Sequence, residues 1–194
     1  MYYVIKILLY IVIAIVVLYD IYVIEYFYTT RIRGQVPLVF SSRKSRKLVA
    51  QYIARNYKNA ELICEVGSGI GGMKRMVARY VNARVIGLEN IRFNVFCSKI
   101  FDWLSGGKSE TVLCDAYEWL DNTNEKIDVI ISYMEPTETT NLIRYSNKIN
   151  VIISLDFQIN GMNPTSVINA GRGFTKFRHK KYPHRLYIYE LHKF

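Results

Sequence analysis

The residues richest in chemistry lie between Leu62 and Gly72, which read LICEVGSGIGG. An apolar run reaches Glu65, and then Gly67, Gly69, Gly71 and Gly72 fall within six positions. Glycines let a turn bend tightly and bring bare backbone against a ligand. Glu89 stands twenty positions after Gly69, at the end of a second apolar run, Val85 to Leu88. Strand, glycine turn, helix, strand and terminal carboxylate form a βαβ nucleotide-binding signature. Glu89 is then placed to accept the hydroxyls of a ribose.

Such a loop works only if regular elements hold it. The pattern predicts a first strand over Leu62 to Val66 and a helix after the loop, with Met73, Met76, Val77 and Tyr80 on one face as core packing. Before it, Ser41 or Ser42 caps a helix from about Arg43 to Tyr57, with Leu48, Val49, Tyr52 and Ile53 at helical spacing. A long aromatic-rich helix follows Glu89 to about Leu104, then a turn at Ser105-Gly106-Gly107. Further strands are expected over Thr111 to Cys114, ending at Asp115, over Ile127 to Tyr133 and over Asn150 to Leu155, with a helix between the last two. The tail holds Gly161, Pro164, Gly171 and Gly173, then a last strand from Arg185 to Leu191. Alternating strands and helices imply an α/β fold, a mostly parallel sheet covered on both faces.

Charge separates the two ligands that the loop can take. As GxGxxG it suits a dinucleotide, whose pyrophosphate wants a positive helix end and no carboxylate nearby. Here Glu65 precedes the first glycine, Glu89 ends strand two and Asp115 ends strand three. That acidic rim suits a cationic cofactor ending in adenosine. Read as Glu65-x-Gly67-x-Gly69-x-Gly71, the loop resembles that of S-adenosylmethionine (SAM) methyltransferases. The resemblance implies a cofactor set of Glu65, Gly67, Ser68, Gly69, Gly71, Glu89, Asn90, Asp115 and Ala116. Asp115 would meet the adenine amino group and Ala116 would supply a backbone donor. Capping of the next helix is the other role open to Asp115, and the two can coexist.

The totals bound the rest. The chain has 194 residues, 51% of them hydrophobic, and a formal charge of +10. This allows a membrane anchor plus one domain. From Gly171 to Phe194 the basic residues are Arg172, Lys176, Arg178, Lys180, Lys181, Arg185 and Lys193, against Glu190 alone. Lipid headgroups, nucleic acid or acidic proteins are the partners such a face attracts. Cys64, Cys97 and Cys114 are widely spaced, form no CxxC pair, and read as buried free thiols of a reducing compartment. His179, His184 and His192 are irregularly spaced, and no metal site is expected.

Ile7 to Tyr19 carry no charge, and Tyr2 to Tyr19 or Ile7 to Tyr28 is long enough to cross a bilayer. Tyrosines at both ends match an interfacial aromatic belt. No small-x-small cleavage site follows, which disfavours a signal peptide. Arg31, Arg33, Arg43, Lys44, Arg46 and Lys47 follow the span, so the positive-inside rule puts the remainder in the cytosol or matrix. The expected organisation is a single-pass anchor over 1–28, a linker over 29–42 containing Pro37, and a catalytic domain over 43–194.

VPLVFSSRK (Val36 to Lys44), the glycine loop, SLDFQINGMNPTSVI (Ser154 to Ile168) and RLYIYEL (Arg185 to Leu191) resemble blocks of a family of seven-strand protein-lysine methyltransferases. That family has soluble archaeal and membrane-anchored mitochondrial members. The resemblance implies a Rossmann-like class I methyltransferase fold with a seven-stranded sheet, SAM as cofactor, and a protein lysine as acceptor. Leu38 and Phe40 stand where the family has Tyr and Pro, and Ile70 and Gly72 where it has Asp and Arg.

Acceptor chemistry is narrowed by exclusion. Ser132-Tyr133-Met134-Glu135-Pro136 lacks the Asn/Asp-Pro-Pro-Tyr/Phe loop of adenine and glutamine methylation, and no Cys stands there for cytosine-C5 chemistry. Tyr133 and Glu135 are the candidates for orienting an acceptor amine. The competing roles are core packing for Tyr133 and a loop carboxylate for Glu135. The leading expectation is a membrane-anchored SAM-dependent protein-lysine methyltransferase with a protein substrate; a membrane protein in that place would avoid the repulsion between the +10 charge and a free basic peptide. The alternatives are a lipid-like small molecule or RNA as acceptor, a non-catalytic SAM-binding module, and a nicotinamide-dependent oxidoreductase.

Overall fold

A computed structural model describes residues 2–28, 31, 41–172 and 183–191, with side chains omitted at 170–172 and 183–184. The linker around Pro37, Leu38 and Phe40, the histidines at 179 and 192, the His184 side chain and most of the basic tail lie outside the described residues. The chain divides into two compact units, Met1–Pro37 and Leu38–Phe194.

The first unit is helix α1, Tyr2–Phe27, of 26 residues with none buried. It is long and apolar enough to cross a membrane.

The second unit runs α2 (Arg43–Asn56), β1 (Leu62–Val66), α3 (Gly72–Ala78), β2 (Arg84–Glu89), α4 (Arg92–Leu104), β3 (Glu110–Leu113), α5 (Ala116–Asn122) and β4 (Ile127–Ser132). It continues with α6 (Pro136–Asn141), a 3-10 turn (Leu142–Tyr145), β5 (Ile149–Leu155), β6 (Ser166–Arg172) and β7 (Pro183–Glu190). Seven strands form one sheet in the order β3-β2-β1-β4-β5-β7-β6. The first five pair in parallel, and β7 runs antiparallel between β5 and β6. This is the expected Rossmann-like architecture with a mixed sheet.

Strand residues alternate between two cores because successive side chains point to opposite faces. Ile63, Val85, Val129 and Val151 pack with Val49 and Ile53 of α2 and Met73 and Val77 of α3. Cys64, Ile86, Ile130 and Ile152 face the other way, onto Leu120, Leu142 and Tyr145. Ser42 caps α2, accepting a bond from Ser45 N at 3.0 Å.

Three expectations are corrected. Helix α3 stops at Ala78, so Tyr80 lies beyond it and is exposed rather than on the core face. Cys64 is buried, but Cys97 and Cys114 are only partly so. Strand β6 falls within the tail between Pro164 and Arg185, where no strand is expected from the sequence. It is an edge strand whose pairing with β7 shifts register between Asn169 and Arg172, and a bulge breaks the alternation that would announce a strand.

Candidate functional site

The glycine loop leaves β1 at the carboxyl edge of the sheet, where α/β folds bind ligands. Gly67, Gly69 and Gly71 have φ of +63°, +54° and +76°, the left-handed region that side chains disfavour. Gly71 also faces α4 so closely that a Cβ would strike the Ser98 hydroxyl and the Lys74 and Arg75 side chains. At Gly72 a Cβ would strike the guanidinium of Arg46. Where the resembling family carries an arginine on this loop, the space is filled from α2 by Arg46.

Both loop carboxylates are buried. Glu65 Oε2 accepts a bond from Lys74 N at 2.9 Å. Burial pushes its carboxyl up to about 8, against the opposing pull of that bond and of the Lys74 and Arg75 charges. Glu89 Oε2 accepts from Gly69 N at 2.6 Å, while its Oε1 accepts from Ile91 N at 2.9 Å and from Asn94 Nδ2 at 3.4 Å. Burial raises Glu89 as well, with these donors opposing. The backbone of Asn90 is a further donor to this carboxylate. Asn90 beside it is exposed.

Beneath the loop lies an ionic knot absent from the sequence-based picture. Lys74 Nζ, fully buried, donates to both oxygens of Asp102 at 2.5 Å. Arg75 Nη1 at 3.3 Å, Thr111 Oγ1 at 3.0 Å and Ser109 Oγ at 3.2 Å also donate to Asp102. The stem of Lys74 crosses β2 at Gly87, where a Cβ would come within 2.6 Å of Lys74 Cδ. The knot ties α3, which starts at the loop, to α4 and β3.

Asp115 caps α5: its Oδ1 accepts from Tyr117 N at 2.8 Å and Glu118 N at 3.1 Å. Oδ2 has no partner among the described residues, and the residue is exposed. Ala116, the first residue of α5, keeps an N–H with no partner inside the helix. Ser68 is buried, and its Oγ has no hydrogen-bond partner among the described residues.

Tyr133, just past β4, is half-buried and packs its ring against Phe157 at a tilt of 35°, with 6.0 Å between ring centroids. Burial, then the charge and hydrogen bond of Asp156, push its phenol up to about 12. Asp156 follows β5 with φ +67°, a left-handed residue that is not glycine. Two bonds hold it there: its N donates to Arg185 O at 2.8 Å, and its Oδ1 accepts from Arg185 N at 3.0 Å. Ser154 Oγ closes the same turn by donating to Phe157 O at 2.5 Å. Tyr133 thus meets Asp156, whereas Glu135 is exposed at the start of α6, which its side chain does not cap. Asp156 went unnoticed in the sequence, although a carboxylate immediately after a strand was the available signal.

The edge therefore offers a bare glycine backbone, carboxylates at the ends of β1, β2 and β3, an open N–H at Ala116 and an orphaned hydroxyl at Ser68. This donor and acceptor set fits a ribose, an adenine and a cationic group.

No protein-family model matches the sequence, nor does any curated protein. Solved structures do match in fold. An RNA methyltransferase from Salinibacter ruber, in complex with S-adenosyl-L-homocysteine, aligns with TM-score 0.60 and 16% identity over 79% of this chain and 94% of that one. Magnesium protoporphyrin IX methyltransferase from Synechocystis, with the same ligand bound, aligns with TM-score 0.54 and 12% identity over 86% and 96%. An O-methyltransferase from Bacillus cereus in complex with that ligand gives TM-score 0.54 and 16% identity over 72% and 65%. The described domain thus has the fold of class I SAM-dependent methyltransferases.

Proposed function

We propose that the protein is a membrane-anchored SAM-dependent methyltransferase that modifies a protein lysine. The observation that carries the cofactor is the left-handed glycine loop between the buried strand-end carboxylates Glu65 and Glu89. The three solved neighbours described above each hold S-adenosyl-L-homocysteine on this fold. Residues 1–28 are the anchor, 29–42 the linker and 43–194 the catalytic domain, in support of which α1 is long and apolar enough to span a bilayer.

When bound, the cofactor supplies an electrophilic methyl group on a sulfonium. Glu89, at the end of β2, would orient the ribose through its carboxylate. Asp115 Oδ2 and the Ala116 N–H would hold the adenine edge, and Gly67 would present bare backbone beside Met134. At the acceptor end, a lysine amine must shed a proton from a group whose ordinary pKa is about 10.4. Tyr133, held near 12, stays protonated. It acts by orientation, donating to Asp156 and accepting an amine N–H on its remaining lone pair. Positioning of this kind is the main contribution to an in-line methyl transfer.

Support for lysine comes from the blocks at Ser154 to Ile168 and Arg185 to Leu191, which build the Asp156 turn and its Arg185 clamp. Methyl-tritiated SAM, the purified chain and membrane extracts test the reading. Protease-sensitive label on lysine is the expected result. Nuclease-sensitive label would move the acceptor to RNA, and label in the lipid extract to a small molecule. Stabilisation of the chain by NAD but not by S-adenosylhomocysteine would end the methyltransferase reading.

A further inference from the structure

Helix α4 is built inside out. Its buried residues are Asn94, Val95, Ser98 and Asp102, three of them polar, and each polar one serves the glycine loop or its knot. Its outward face carries Phe96 at 53% exposure, Ile100, Trp103 at 78% and Leu104 at 65%. These residues recur at intervals of four, three and one, a continuous stripe opposite the core. A soluble helix places such residues inward, and a contiguous exposed patch of this kind marks a contact surface.

Charge identifies what covers it. From Ile91 to Ser109 the sole acidic residue is Asp102, which is buried in its ion pairs. Arg92 and Lys99 border the stripe on one side, and Lys108 follows the exposed turn at Gly106 and Gly107. Apolar and tryptophan side chains flanked by cations, with no free acid, match a helix lying in the interface of an anionic bilayer. Pairing with a second copy about a twofold axis would bring Arg92, Lys99 and Lys108 against the same cations. The linker at 29–42 reaches at most about 50 Å, so an inserted α1 would keep α4 within range of lipid.

We propose that the outward face of α4 docks into an anionic phospholipid surface, seating Phe96, Ile100, Trp103 and Leu104 about 5–10 Å into the headgroup and acyl boundary. The proposal rests in part on the anchored reading of α1, and the test separates the two.

The full chain is reconstituted in vesicles of equal parts phosphatidylcholine and phosphatidylglycerol, with bromine near the glycerol end of the acyl chains. Native protein and Trp103→Phe are compared, with Trp119 as the common reference. The expected result is a blue-shifted emission that bromine quenches in the native chain, about twofold more than in Trp103→Phe, and that Lys99→Glu weakens. Equal quenching of the two chains, in protein that floats with the vesicles, overturns the docking and leaves the anchor standing. Quenching at Trp103 in a chain that alkaline carbonate strips from the vesicles supports docking and overturns the anchor. Efficient copy-to-copy cross-linking through Phe96→Cys assigns the face to a second copy and overturns the proposal.

Discussion

A carboxyl group sealed at the end of a central strand holds its proton to unusually high pH. With Glu65 raised to about 8, the folded state keeps a proton that the unfolded state releases in the ordinary glutamate range. Stability therefore falls as pH rises from that range to about 8 and levels off above it. A cationic cofactor favours the ionised form, so binding should expel a proton below pH 8 and tighten as pH rises to that value. Calorimetry in buffers of different ionisation enthalpy reads the proton, and Glu65→Gln should abolish it. Gly69→Arg places a side chain on a left-handed backbone that holds Glu89. It should remove the rise in Tm caused by S-adenosylhomocysteine while leaving the far-ultraviolet dichroism unchanged. Tyr133→Phe deletes the orienting hydroxyl and should lower kcat by about tenfold or more, leaving cofactor affinity alone.

At the scale of elements, the ionic knot decides how α3 and α4 hold together. Lys74→Met leaves Asp102 buried without its principal partner and should cost about 3–5 kcal/mol in urea unfolding; adding Asp102→Leu should recover most of that. Elements with a strong period were legible in the sequence: β1 and β2 as apolar runs, and α2 from Val49 and Ile53 at helical spacing. The glycine loop was legible because backbone geometry demands particular residues at 67, 69 and 71. Strand β6 was not, since its bulge and edge position blur the pattern. Nor was Asp156, whose value lies in meeting Tyr133 and Arg185 across the fold rather than in any spacing. Helix α4 was visible as an aromatic-rich helix, but not which of its faces is buried. Only the packed structure reveals that polar contacts to the loop occupy its inner face.

For the molecule as a whole, α1 contributes no buried residue, and the two core clusters begin at Val49 and Leu62. Removing residues 1–28 should release the protein from carbonate-washed membranes without lowering its stabilisation by S-adenosylhomocysteine, read by flotation and thermal melting. The sheet order carries a consequence for how the chain is made. Strand β7, the last synthesised, lies between β5 and β6, and its Arg185 clamps the turn bearing Asp156. Synthesis runs from the amino terminus at about 5–20 residues per second, so the cofactor half is finished first. For several seconds the nascent chain exposes β5 as an open edge, and the Asp156 turn lacks its Arg185 clamp. The sheet is then incomplete until β7 slides in between β5 and β6, and a stop codon after Arg172 should leave an aggregating chain.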